Sequence, residues 1–203
     1  FEREAYGDGI EIKRYCTDNG VYTFRAFGAH LQLKNQTIRH SGVGAHHHNG
    51  PAENAIKVIV NKARTMMLHA LFNCPNHTEL NLWSYAIKYA VYLYNNTPNQ
   101  ETGLAPIEIW TSARSSYSAL KKSHTWGCPV YVLDPKLQGG AKIPKWRPRF
   151  CKGQFIGTSE KHASSVGMIR HLVTNNISPQ YHAVYKDHFE TAYANEETLP
   201  EEL

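Results

Sequence analysis

Apolar and polar residues alternate over residues 11–16 (EIKRYC), the pattern of a half-buried strand, and the run Thr17-Asp18-Asn19-Gly20 ends it as a turn. Residues 22–33 (YTFRAFGAHLQL) are expected as a helix and 36–39 as a short strand, followed by a loop, HSGVGAHHHNGPAEN, with three glycines and a proline. From Pro51 the period lengthens. Ile56, Ile59, Val60, Ala63, Met67, Ala70 and Leu71 recur at three- and four-residue intervals, one apolar stripe of a long helix that stops near Cys74-Pro75. Pro51 suits the first helical turn, with Asn49 or Gly50 as its cap. A second helix is expected at about 79–96, ending before Pro98. Residues 97–123 carry no clear period apart from Pro106 to Trp110. Beyond them the period shortens, predicting strands at 125–133, 150–157, 166–173 and 181–186, separated by Gly-, Pro- and Asn-bearing turns. Short strands so spaced point to a small barrel or sandwich. No internal repeat is visible.

Composition narrows this little. The 203 residues are 41% hydrophobic and 19% charged, which suits an ordinary globular protein of one or two domains. No run of 18 apolar residues exists, so no membrane span is expected. No basic-then-apolar leader precedes the first strand, so secretion is not expected either. The chain begins with Phe1 rather than Met, which suggests a start mid-protein. Cysteines 16, 74, 128 and 151 form no CxxC pair, and reduced thiols in a cytosolic or nuclear protein are the better reading.

Charge changes the picture more. Residues 121–188 hold eleven Lys and Arg against three Asp and Glu, a net +8, whereas residues 1–120 are at +2 and 189–203 at −5. Lys142, Lys145, Arg147, Arg149 and Lys152 fall within eleven positions around prolines, which keep a segment extended so that cations can track a phosphate backbone. Trp146 and Phe150 stand among them and are candidates for anchoring this loop to the barrel. A solvated basic face is the plain alternative.

Two carboxylates stand out by setting. Asp18 follows a strand directly, and Glu53 lies in the first turn of the long helix, 35 positions later. Carboxylates at a strand end and a helix start can converge on Mg²⁺, which takes oxygen ligands, and paired ions stabilise both attacking and leaving oxygens of a phosphodiester. The plain alternatives are a turn-forming Asp and a Glu that complements the helix dipole. His46, His47 and His48 invite a zinc reading, but three adjacent loop histidines without a nearby Cys lack finger spacing.

Thr17-Asp18-Asn19-Gly20, followed by His46-His47-His48-Asn49-Gly50-Pro51-Ala52-Glu53-Asn54, resembles the second and third positions of the DDE integrase motif, as found in copia-type retrotransposon polyproteins. Ala63-Arg64-Thr65-Met66-Met67 is similar to that family's helix. Tyr94-Asn95-Asn96-Thr97-Pro98, Gly103 to Trp110, Trp126 to Val132, Gly153 to Gly157 and Ser178 to Thr191 continue the likeness, which covers roughly residues 5–192. The resemblance implies an α/β fold in two parts. These are a partial ribonuclease-H-like core over 1–110 and, after a linker at 111–123, a small SH3-like β-barrel over 124–190, with an acidic tail at 191–203. It also implies DNA integration: Mg²⁺- or Mn²⁺-dependent hydrolysis and strand transfer by the complete enzyme, with Asp18 and Glu53 as catalytic and metal-holding residues. Lys57 and Arg64 on the Glu53 helix, with the five cations of 142–152, would contact nucleic acid. DNA ends and target DNA would be the partners, a homo-oligomer the working form, and nucleus and cytoplasm the locations.

One departure stands beside this. The family's first catalytic Asp lies on its own strand, some tens of residues before the turn. Asp8 is the only Asp before Asp18 here, and ten extended residues span up to ~33 Å, so Asp8 is not expected to substitute. The chain alone is therefore expected to be inactive. A nucleic-acid-binding module without chemistry, or a decayed coding remnant, are the alternatives.

Overall fold

The computed structural model describes residues 1–17, 24–40 and 50–190. They are mixed helix and sheet, and packing divides the chain into two units: residues 1–58 with 107–114, and residues 59–106 with 115 onward. These units do not coincide with the segments drawn from the sequence, because the long helix contributes to both.

In the first unit, β1 (Arg14–Thr17) and β2 (Thr37–His40) pair in parallel, Thr17 opposite His40. Parallel strands need a crossover, and α2 (Arg25–Leu33) supplies it. The strand expected at 11–16 thus starts three residues late. An unforeseen helix, α1 (Glu2–Gly7), precedes it. Glu2 accepts hydrogen bonds from Tyr15 Oη at 2.5 Å and, at 3.0 Å, pairs with His30 Nε2. These two partners hold the Glu2 carboxyl below its usual range. Asp8 accepts from the Trp110 indole N–H at 3.2 Å, tying the end of α1 to α5 (Pro106–Thr111).

The helix α3 runs Gly50–Asn73, within a residue or two of the expected bounds. Its later turns belong to the second unit, with a 3₁₀ turn (Leu80–Leu82), α4 (Trp83–Asn96), the short α6 (Ser118–Lys121) and an antiparallel five-stranded sheet. The strands are β3 (Pro129–Leu133), β4 (Phe150–Thr158), β5 (Gly167–His171), β6 (Ile177–Gln180) and β7 (Ala183–Tyr185), in the order β6-β5-β4-β3-β7. Here β3 begins at Pro129 rather than 125. Residues 125–128 form a turn, with Cys128 N–H donating to Thr125 O, and Gly127 sits at φ +83°.

The sheet is strongly curled. Its two edge strands are consecutive, and only Tyr181 and His182 separate Gln180 from Ala183. Three peptide links reach at most ~11 Å, whereas the edges of a flat five-stranded sheet lie about 19 Å apart. The curl is placed by a bulge in β4 between Phe155 and Gly157, where Gly157 adopts φ +141°.

Helices and sheet share one core. Ala63, Ala70, Cys74, Leu82, Ala86, Tyr89 and Ala90 pack with Trp126, Cys128, Val130, Val132, Phe155, Ile156, Ile169 and Phe189. Polar ties reinforce it. The buried Arg170 of β5 donates to His77 O at 2.8 Å and pairs with Glu79, and Gln154 Nε2 donates to Thr78 Oγ1 and Gly127 O, each at 3.3 Å. All four cysteines are free, and burial pushes the Cys74 thiol up to about 11.

Candidate nucleic-acid interface

The basic connection between β3 and β4 is closed at its base by two local bonds. Asp134 N–H donates to Arg149 O at 2.8 Å, and the Asp134 carboxylate accepts from Lys136 N–H at 2.8 Å, capping the short helix α7 (Pro135–Gln138). At the tip, Arg147 N–H donates to Pro144 O at 3.1 Å, which makes 144–147 a tight turn with Lys145 and Trp146 at its two central positions. Lys142, Lys145, Arg147 and Arg149 are exposed, and Lys152 is half-buried on β4 opposite Tyr131. No Asp or Glu lies between Asp134 and Glu160. Among the described residues none of these five cations makes an ion pair. Trp146 does not anchor the loop: it is 89% exposed, with Lys145 Nζ 5.9 Å from its ring. Phe150 is half exposed at the start of β4, opposite Leu133.

Glu53 is exposed in the first turn of α3, as its spacing predicts, and Lys57 and Arg64 are exposed further along the same helix. Asp18 lies outside the described residues, as do His46, His47 and His48, so the Asp18–Glu53 separation is not on view. Thr17, the residue before Asp18 in the chain, ends β1 at the carboxyl edge of the parallel pair. Among the described residues no three His, Cys, Asp or Glu side chains are grouped closely enough to hold a metal ion.

Two features were not anticipated from the sequence. The first is a polar clasp at the sheet's entrance. Asp187 accepts from the Thr125 N–H at 2.6 Å and bonds His124 Nδ1 at 2.9 Å, while the His124 ring stacks on Tyr185 at 3.6 Å. Burial opposes ionisation of Asp187, but the bonds from His124 and Thr125 outweigh it and hold its carboxyl below the usual range. Tyr89 of α4 joins the clasp, donating to His124 O at 2.7 Å and accepting from His124 N–H at 3.1 Å. The second is an open groove of about 390 Å³ between α4 and the β4–β5 hairpin, where Tyr85 and Tyr92 stand beside Lys88, Lys161 and His162.

No family model matches the chain. Over 141 residues, 68% of its length, it is 35% identical to the retrovirus-related Pol polyprotein from transposon TNT 1-94 of Nicotiana tabacum. The chain is similar to a region of a retrotransposon Pol polyprotein. It spans 10% of that relative's length, so what the Pol relative does as a whole is not thereby assigned to these residues. The likeness supports a retroelement protein in general terms.

Proposed function

We propose that this chain is the later part of a retrotransposon integrase: the second half of a ribonuclease-H-like core, then a small SH3-like barrel whose β3–β4 connection grips DNA. The observation that carries the reading is the stretch 142–152, from that connection into β4, with its five cations, no acidic residue and no ion pair among the described residues. Cations left unneutralised within the chain favour a polyanion, because each phosphate contact releases condensed counterions. The parallel β1–α2–β2 unit followed by a long helix supports the first half of the proposal. The curled five-stranded sheet and the Pol likeness support the second.

In this reading Asp18 and Glu53 are two carboxylates of the Mg²⁺ or Mn²⁺ site, and exposed oxygen donors such as Glu53 are what a hard cation takes. When bound, the metal supplies an activated hydroxyl and neutralises charge developing on the phosphodiester. Lys57, one turn beyond Glu53, holds a phosphate, and Arg64 extends that contact along the helix. The partners are then the element's DNA ends and target DNA, acted on by a homo-oligomer in the nucleus after passage through the cytoplasm. A binding module without chemistry is the second reading, favoured by the basic connection needing no metal.

The test is a titration of labelled duplexes of unrelated sequence at several salt concentrations. If four or five cations each neutralise one phosphate, log affinity falls against log salt with a slope of about −4. Changing Lys145, Arg147 and Arg149 together to Ala should flatten it by roughly three. Salt-independent affinity, or an unchanged slope in the triple variant, returns the connection to a solvated loop. Asp18→Asn or Glu53→Gln should leave this binding unchanged and abolish Mg²⁺-dependent strand transfer by an integrase carrying the whole core. If both variants keep full strand transfer, the two carboxylates are not metal ligands.

A further inference from the structure

We infer that Trp146 is a stacking platform for an unpaired base of nucleic acid, with Lys145, Arg147 and Arg149 holding the phosphates on either side. The inference rests on the DNA-binding reading and deepens it by naming the form of nucleic acid taken: single-stranded or splayed, rather than closed duplex.

Its position argues for this first. Central turn positions favour Gly, Asn, Asp and Ser, whose backbone or short side chains suit the turn. Here they hold Lys145 and Trp146. The chain knows how to use an indole internally: Trp126 is buried and donates to Ile156 O at 3.0 Å. Trp146 instead leaves nearly its whole surface in water. Pro144 and Pro148 bracket it, fixing φ at both flanks, so the indole is held out on a stiffened turn and little freedom is lost when a partner covers it.

The surroundings then select the partner. Cations on both sides disfavour a basic or wholly apolar surface, so the occupant must bring negative charge together with a flat ring. A nucleic acid has both. Bases inside a duplex are stacked on each other and offer only their edges, whereas an unpaired base offers a face. Lys145 Nζ lies 5.9 Å from the ring, so the side of the indole away from that ammonium is the open one.

The test uses the full chain with two probes of equal phosphate number, an oligothymidylate strand and a blunt hairpin duplex. The expected result is tighter binding of the single strand, with quenching of tryptophan fluorescence. Trp146→Ala should lose that quenching and about tenfold in single-strand affinity, with little change on the duplex and no change in salt slope. Trp146→Phe should keep most of the affinity. Trp83 and Trp110 are partly exposed, so the signal is the share of quenching that Trp146→Ala removes. Unchanged single-strand affinity and quenching in Trp146→Ala, while the Lys145, Arg147 and Arg149 triple variant loses binding, overturns stacking and leaves the phosphate-binding reading standing. Equal losses on both probes also overturn it. So does concentration-dependent self-association that Trp146→Ala abolishes, because the indole then docks on a second copy. Absence of binding to either probe removes the DNA-binding reading itself.

Discussion

Gly127 stands where α3 comes down on the entrance to the sheet. A Cβ at this position would overlap the Ala70 methyl, and its φ of +83° is one that side chains resist. Gly127→Ala should therefore destabilise the chain by about 2–4 kcal/mol, from overpacking and backbone strain together. Urea unfolding measures this, and a loss under ~0.5 kcal/mol would mean that α3 does not seat there. Asp187 supplies a pH-dependent contribution. Its folded pKa is depressed, so the stabilisation is fully present above the ordinary carboxylate value and is lost as pH falls through the lower folded one. Asp187→Ala should cost about 1–2 kcal/mol at pH 7, a modest figure because the carboxylate is partly exposed, and should make the acid-side decline shallower. Stability curves that stay parallel from pH 7 to 2.5 would show that the clasp contributes nothing in acid.

Among the elements, those with a sustained period were legible and those set by a single backbone event were not. The stripe on α3 identified the correct helix, but not how deeply each position lies. Ala63 and Ala70 are buried while Ile56, Val60 and Leu71 are exposed, and at Ala70 the Gly127 backbone comes so close that a larger side chain would not fit. The strand β6 was missed because Asn175, Asn176 and Pro179 read as a turn. Only Asn175 takes a left-handed φ, of 56°, and Pro179 is tolerated because β6 is an edge strand. The basic connection was legible because charge needs no fold to be counted. The Asp18–Glu53 pair stood out by setting, a strand end and a helix start, and by resemblance, and Asp18 lies outside the described residues. The His124–Asp187 clasp gave no signal, since its partners are 63 positions apart and each is ordinary alone. Tyr89→Phe tests how firmly α4 holds that clasp. Losing both bonds to the His124 backbone should cost about 1–3 kcal/mol in urea unfolding, and an unchanged midpoint would detach α4 from it.

At the scale of the whole molecule, seven of the fifteen buried residues of the main core among the described residues come from the helical stretch 63–90 and eight from the sheet and its flanks. Residues 124–190 expressed alone should therefore lack a cooperative thermal transition, whereas residues 59–190 should show one. A sharp transition in the shorter piece would make the sheet self-sufficient. The two-residue link between β6 and β7 bears on how the chain is made. Val132 of β3 pairs with Ala183 of β7, about fifty residues later in the chain. At roughly 5–20 residues per second of synthesis, one side of β3 waits several seconds for its partner. During that interval its bare N–H and C=O groups are open to strands of neighbouring nascent chains. On a polysome translating many copies at once, the speed of the ribosome through residues 134–183 would set how many chains mature and how many aggregate.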